Sequence, residues 1–147
     1  AASYRRLVRS SRLGLLALQT VTLPTSTALG KALLSQLDPE EAHRRLTAVI
    51  LPRFTERTIT DPTALLDEID RTRRLGFSTD EGEYLDGTRC VAVPLLNDGA
   101  ELIAALSVTA PSMRTGEDWP EPVLAELRTT ATTIRAELGY GRELSSA

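Results

Sequence analysis

The 147-residue chain holds one cysteine, one histidine, one tryptophan and one lysine, and each scarcity removes a class of function. One thiol forms no internal disulfide, so the fold does not depend on oxidation. One cysteine and one histidine fall short of the four ligands of a structural zinc site. A hydrolytic triad needs a base, and the only histidine, His43, sits in EEAHRRL on an amphipathic helical pattern, the setting of a solvated residue. No GxxxxGK[ST] phosphate loop is present, because Gly30-Lys31 lacks the preceding glycine and the following hydroxyl. Lys31 is the only lysine among 17 basic residues, which reads as composition bias rather than mechanism. A net charge of -3 argues against a nucleic-acid grip within this segment. Apolar runs are too short to cross a membrane. The start, AASYRRLVRSSRLGLLALQ, only imitates a signal peptide, since its apolar run is interrupted and no small-residue cleavage site follows. No membrane contact and a cytoplasmic location are expected.

What is there suits one soluble domain. The chain is 41% hydrophobic and 25% charged, long enough for a real core and ordinary in composition. Residues 4–22 mix Tyr, Leu and Val with arginines and read as one or two strands. The Thr25-Ser26-Thr27 cluster caps a helix over 28–37. Asp38, Pro39 and Glu41 start a second helix, with Asp38 as cap and Glu41 placed for a capping box, running to about Ile50. Residues 52–60 read as a loop. Asp61-Pro62 starts a third helix with Leu65, Leu66 and Ile69 on one stripe, ended by Gly76. Residues 77–80 form a short strand. A last helix begins near Pro120 or Glu121, lined by Leu124, Leu127, Ala131, Ile134 and Leu138 and ended by Gly139. Strands, helices, a hairpin and a final helix predict an α+β fold with an antiparallel sheet.

The most informative stretch is TRCVAVPLLNDGAELIAALSVT, residues 88–109. Asp98-Gly99 between two apolar runs signals a two-residue hairpin turn. That turn pairs Cys90 with Ser107, Thr88 with Thr109 and Ala92 with Ala105. All six then share one face, because side chains alternate along a strand. The opposite face pairs Val91 with Leu106, Val93 with Ala104 and Leu95 with Leu102. A bulky aliphatic face is expected to meet helices. A small face tipped with thiol and hydroxyls is expected to floor a pocket, or else to hold a buried cysteine and hydroxyls bonded to nearby backbone. Asp80, Glu81 and Glu83 lie in the connection before the hairpin, and lacking a partner acid they support no glycosidase claim. They read either as pocket groups or as a solvated turn. The start of the 28–37 helix offers N–H groups to an anion, a feature common to every helix.

Five motifs occur together: an ALGKALL helix, a TDP helix start, an RRLGF strand entry, a GTRCVAVP strand and an AALSV strand followed by Thr-Ala-Pro. In this combination, over about residues 4–140, the chain resembles the effector-binding domain of the IclR family of bacterial transcription regulators. The resemblance implies a GAF-like (profilin-like) antiparallel sheet flanked by helices, no enzyme activity and no cofactor. It implies a small-molecule effector, an organic or aromatic acid, held by the backbone of Ala28 and Leu29 and by Asp80, Thr88, Cys90, Ser107 and Thr109. It also implies a homodimer or homotetramer whose DNA contacts belong to a winged helix-turn-helix domain. No such domain is seen in this chain, which reads over 1–147 as the effector-binding domain with its usual first helix and strand shortened. Gly82 departs from the family's usual acid, and Thr109 from its usual serine. On this reading the effector carboxylate meets the N–H groups of Ala28 and Leu29 and the hydroxyls of Ser107 and Thr109. Leu23, Leu29 and Leu85 wall its apolar part, and Asp80 accepts from a ligand hydroxyl or holds the site's donors. A stand-alone GAF-type sensor and a Cys90-dependent thiol enzyme are the alternatives.

Overall fold

The expected helices form where their caps place them. A computed structural model of the chain describes residues 25–141. The strands expected within 4–22, and Leu23, lie outside the described residues. Helix α1 spans Ala28–Leu34, with the Thr27 hydroxyl accepting the Gly30 N–H at 3.1 Å. It stops short of residue 37 because Asp38 must turn extended (φ -55, ψ 140) to cap the next helix ahead of Pro39. Helix α2 spans Pro39–Thr47 and ends before Ile50. Asp38 accepts the Glu40 and Glu41 N–H groups at 2.9 and 3.4 Å. The expected capping box is not closed by Glu41, whose carboxylate pairs with Arg44 and Arg45. His43 is exposed, as its position on the helix predicts. Helix α3 spans Pro62–Leu75, capped by Asp61 on Ala64 N–H at 2.8 Å and ended by Gly76 at φ +71. Leu65 and Ile69 are fully buried and join Leu46 and Leu51 in one cluster between α2 and α3.

Strands β1 (Ser78–Asp80), β2 (Thr88–Leu96) and β3 (Leu102–Pro111) form an antiparallel sheet in the order β1-β2-β3. The hairpin register differs from expectation by two residues. Cys90 faces Thr109 rather than Ser107, Ala92 faces Ser107 rather than Ala105, and Thr88 faces Pro111 rather than Thr109. On the other face Val91 meets Val108, Val93 meets Leu106 and Leu95 meets Ala104. Two extra residues cause the offset. The turn is a three-residue loop, closed by Asn97 N–H on the Glu101 carbonyl at 2.9 Å, with Ala100 at φ 59. A bulge at Leu95/Leu96 adds the second residue. Because side chains alternate with period two, an offset of two returns Thr88 to Leu95 and their partners to the expected faces, whereas Leu102, beyond the bulge, pairs with Leu96 rather than Leu95.

Both faces are covered. Helix α4 (Glu121–Glu137) lays Leu124, Leu127 and Ala131 on Val91, Val93 and Leu95. On the small face, Ala28 and Ala32 of α1 pack on Cys90 and Ala92, with Ala105 beside them. Small side chains on both partners let helix and sheet approach closely, so the middle of the small face is filled by α1 rather than left open.

Candidate functional site

The register sets Asp80, Cys90 and Thr109 in one row across the three strands, with Ser78, Ala92 and Ser107 in the next. The structure therefore brings together Asp80, Cys90, Ser107 and Thr109 on the face that α1 covers, beside Ala28 and Leu29. The Ser78 hydroxyl donates to the Ala28 carbonyl at 2.6 Å and fixes the first turn of α1 over the strands. Exposure rises along the Asp80 row: Asp80 and Cys90 are buried, whereas Thr109 is exposed, and Ser107 is half-buried. Access to this face is thus from the β3 side. Thr88 stands at the margin, its hydroxyl donated to the Leu85 carbonyl at 2.6 Å, so its proton serves the local turn. Leu29 and Leu85, expected to wall the apolar part of a ligand, are 37% and 59% exposed.

Cys90 is a protonated thiol held in a polar row. Burial pushes it up from its ordinary value, the hydrogen bond from Thr109 opposes this, and the Asp80 charge adds to it. The Thr109 hydroxyl donates to Cys90 Sγ at 3.2 Å. A nucleophilic cysteine needs the opposite environment, one that lowers the thiol and exposes it.

The acids divide sharply. Glu81 is solvated and pairs with Arg89 at 2.7 Å, in line with a solvated turn. Asp80 and Glu83 contradict that reading, for both are buried, at 4% and 8% exposure. Asp80 Oδ1 accepts the Glu83 backbone N–H at 2.6 Å. Glu83 Oε1 accepts from Lys31 Nζ at 2.5 Å, and Glu68 Oε1 lies 4.0 Å from the same ammonium. Glu83 Oε2 is buried with no hydrogen-bond partner. Burial pushes the Glu83 carboxyl up, Lys31 pulls it down, and Asp80 and Glu68 push it up again. The connection is held from outside by two threonines. Thr55 donates to the Gly82 carbonyl at 2.7 Å and Thr58 to the Glu83 carbonyl at 2.6 Å.

Lys31, Ser78, Thr55 and Thr58 are the participants that pattern reading passes over, and it leaves Glu83 undecided between a pocket group and a solvated turn. The one available signal was the isolation of Lys31 among arginines, here the mark of a compact ammonium in a space with 1% exposure. Among the described residues, no group of three or more His, Cys, Asp or Glu side chains is set to hold a metal ion. Nor is any described helix long and apolar enough to cross a membrane.

Residues 21–136 match the family model described as bacterial transcriptional regulator IclR C-terminal. The HTH-type transcriptional regulator KdgR of Escherichia coli is 41% identical over 115 residues, covering 78% of this chain and 44% of KdgR. This chain thus spans less than half the length of that relative. The solved C-terminal domain of E. coli KdgR superposes with a TM-score of 0.72 at 40% identity, over 80% of this chain and 71% of that one. The inducer-binding domain of Acinetobacter PobR, a double mutant in complex with 3-hydroxybenzoic acid, superposes with a TM-score of 0.72. It is 34% identical, over 76% of this chain and 65% of PobR's.

Proposed function

The chain belongs to the IclR family of bacterial transcriptional regulators, and from that premise we propose that it is the effector-binding domain of a cytoplasmic regulator that answers to a small organic or aromatic acid. Its fold is the α+β, GAF-like fold of the family's C-terminal domains. One observation carries the reading. Asp80, Cys90 and Thr109 line up in one row with Ser107 beside them, under the first turn of α1. These are groups that the resemblance assigns to the effector.

Charge sets the orientation of the ligand. Asp80 is the buried acid at the β1 end of the row, beside a Glu83 already paired with Lys31, and Thr109 lies two strand spacings away, about 10 Å. An acid therefore points its carboxylate toward the hydroxyls of Ser107 and Thr109 and the N–H groups of Ala28 and Leu29. Its far end meets Asp80, which accepts from a ligand hydroxyl. Thr88 bounds the mouth. Cys90 contributes a neutral polar wall, which separates this reading from a thiol enzyme, as does the kinship with transcriptional regulators. Ligand binding then shifts the placement of subunits in a homodimer or homotetramer, and with them the winged helix-turn-helix domains that contact DNA.

A thermal-shift panel of small aliphatic and aromatic carboxylic acids, including 3-hydroxybenzoic acid, tests the reading. At least one acid is expected to raise the melting temperature. Ser107→Ala is expected to weaken that acid by about 1–3 kcal/mol, the cost of leaving a polar group unpaired. An affinity unchanged by the substitution removes Ser107 from the site, and a panel without any response contradicts the acid reading.

A further inference from the structure

Glu83 uses three of its four polar groups to bind three different parts of the fold. Its N–H goes to Asp80 at the end of β1, its carbonyl receives Thr58 of the 52–60 loop, and its Oε1 receives Lys31 of α1. Through Lys31 it also meets α3, since Glu68 lies 4.0 Å from the same ammonium. The fourth group, Oε2, is buried without a partner. A residue that served only to fill space would not bring a half-satisfied carboxylate into the interior, where such a group is costly.

We infer that Glu83 is a positioning residue that ties Asp80 to Lys31, so that occupation of Asp80 by a ligand is felt at α1, α3 and the 52–60 loop. The inference rests on the effector reading for the statement that a ligand reaches Asp80. The tie itself rests on the hydrogen bonds. A ligand hydroxyl donating to Asp80 competes with the Glu83 N–H for the same carboxylate. As that bond lengthens, the connection at 81–87 slackens, and the Lys31 ammonium redistributes between Glu83 and Glu68. The second acid is already close enough to receive it. Three other cations lie near this network, and each has its own acid: Arg57 pairs with Asp86 at 3.2 Å, Arg89 with Glu81 at 2.7 Å and Arg71 with Glu68 at 3.2 Å.

The chain's single lysine gives a direct test. In the full chain labelled with [15N]lysine, one Nζ resonance reports Lys31 alone. Asp80→Asn is expected to shift this resonance and speed its exchange with water, and the same change made in a Glu83→Gln background is expected to have little effect. Asp80→Asn effects of equal size in both backgrounds overturn the inference, because Asp80 then acts on Lys31 without Glu83. If Glu83→Gln does not fold, titration of the wild-type chain decides. The groups facing Glu83 are Lys31 of α1, Glu68 of α3 and Asp80 of β1. The Nζ resonance is expected to move as Glu83 takes up its proton, and a resonance that stays fixed down to the acid limit of folding overturns the inference. None of these readouts uses a ligand. Their failure leaves the acid-binding reading intact, whereas an intact coupling with an unresponsive acid panel overturns that reading alone.

Discussion

Glu83 shows most plainly how a single side chain records its surroundings in a measurable way. Its folded value lies above the ordinary 4.5, first because burial penalises the charge. A raised value means that the native state holds the proton more tightly than the unfolded chain does. The stabilising contribution is therefore complete below 4.5 and is lost as pH rises through the native value. Glu83→Gln cannot ionise and lacks this dependence. Thermal melts from about pH 4 to pH 8 are thus expected to shift the stability difference in favour of the variant as pH rises. A difference that is flat with pH contradicts a raised Glu83. Residue types were legible at this scale: the thiol and the two β3 hydroxyls stand out as polar groups in apolar surroundings, and the family resemblance adds Asp80. Their partners were not legible. Lys31 and Glu83 are 52 positions apart, and Glu83 sits in a segment whose polarity alone suggests a solvated turn. Only the burial created by the threonine anchors separates it from Glu81.

At the scale of the element, local chemistry decided most boundaries. Asp38 and Asp61, each followed by proline, start their helices as caps do, and Gly76 ends α3 in the left-handed region. The hairpin register was misread because Asp-Gly suggested the tightest turn, while the chain builds a longer loop around the Asn97 side chain. Its Oδ1 accepts from Gly99 N–H at 2.9 Å and Glu101 N–H at 2.8 Å, a geometry that Asn adopts and Asp-Gly alone does not reveal. The loop places Ala100 at φ 59, where a Cβ is strained. Ala100→Gly is expected to stabilise the domain by roughly 1 kcal/mol, from relief of left-handed strain partly offset by glycine's greater unfolded entropy. Chemical denaturation measures this. Destabilisation would show that Ala100 is not strained. The bulge at Leu95/Leu96 had no sequence signal, since neither flanking strand carries a glycine there. From Thr88 to Leu95 the division into an aliphatic and a small face survived both errors, because only an odd slip exchanges faces; past the bulge the slip is odd and Leu102 pairs with Leu96.

The described residues form a three-stranded sheet between unlike neighbours. Helix α4 closes the aliphatic face with large side chains, and α1 closes the small face with alanines. The first contact carries stability. Leu127, 4% exposed against the sheet, is expected to cost about 2–5 kcal/mol on truncation to alanine. That is a large share of the stability of an ordinary domain, so Leu127→Ala should lower the denaturation midpoint sharply without touching the ligand groups. A near-neutral result would mean that α4 is not seated on the sheet. On the proposed reading the second contact carries function, because it sets the polar row of β1, β2 and β3 against the start of a helix. This asymmetry between faces is the central claim, and methyl-resolved NMR of the chain during titration with an acid that raises its melting temperature tests it most directly. Shifts are expected at Ala28, Ala92 and Ala105 on the α1 side, with Val91, Val93 and Leu95 on the α4 side little changed. Shifts confined to the α4 side, or spread equally over both, would contradict it.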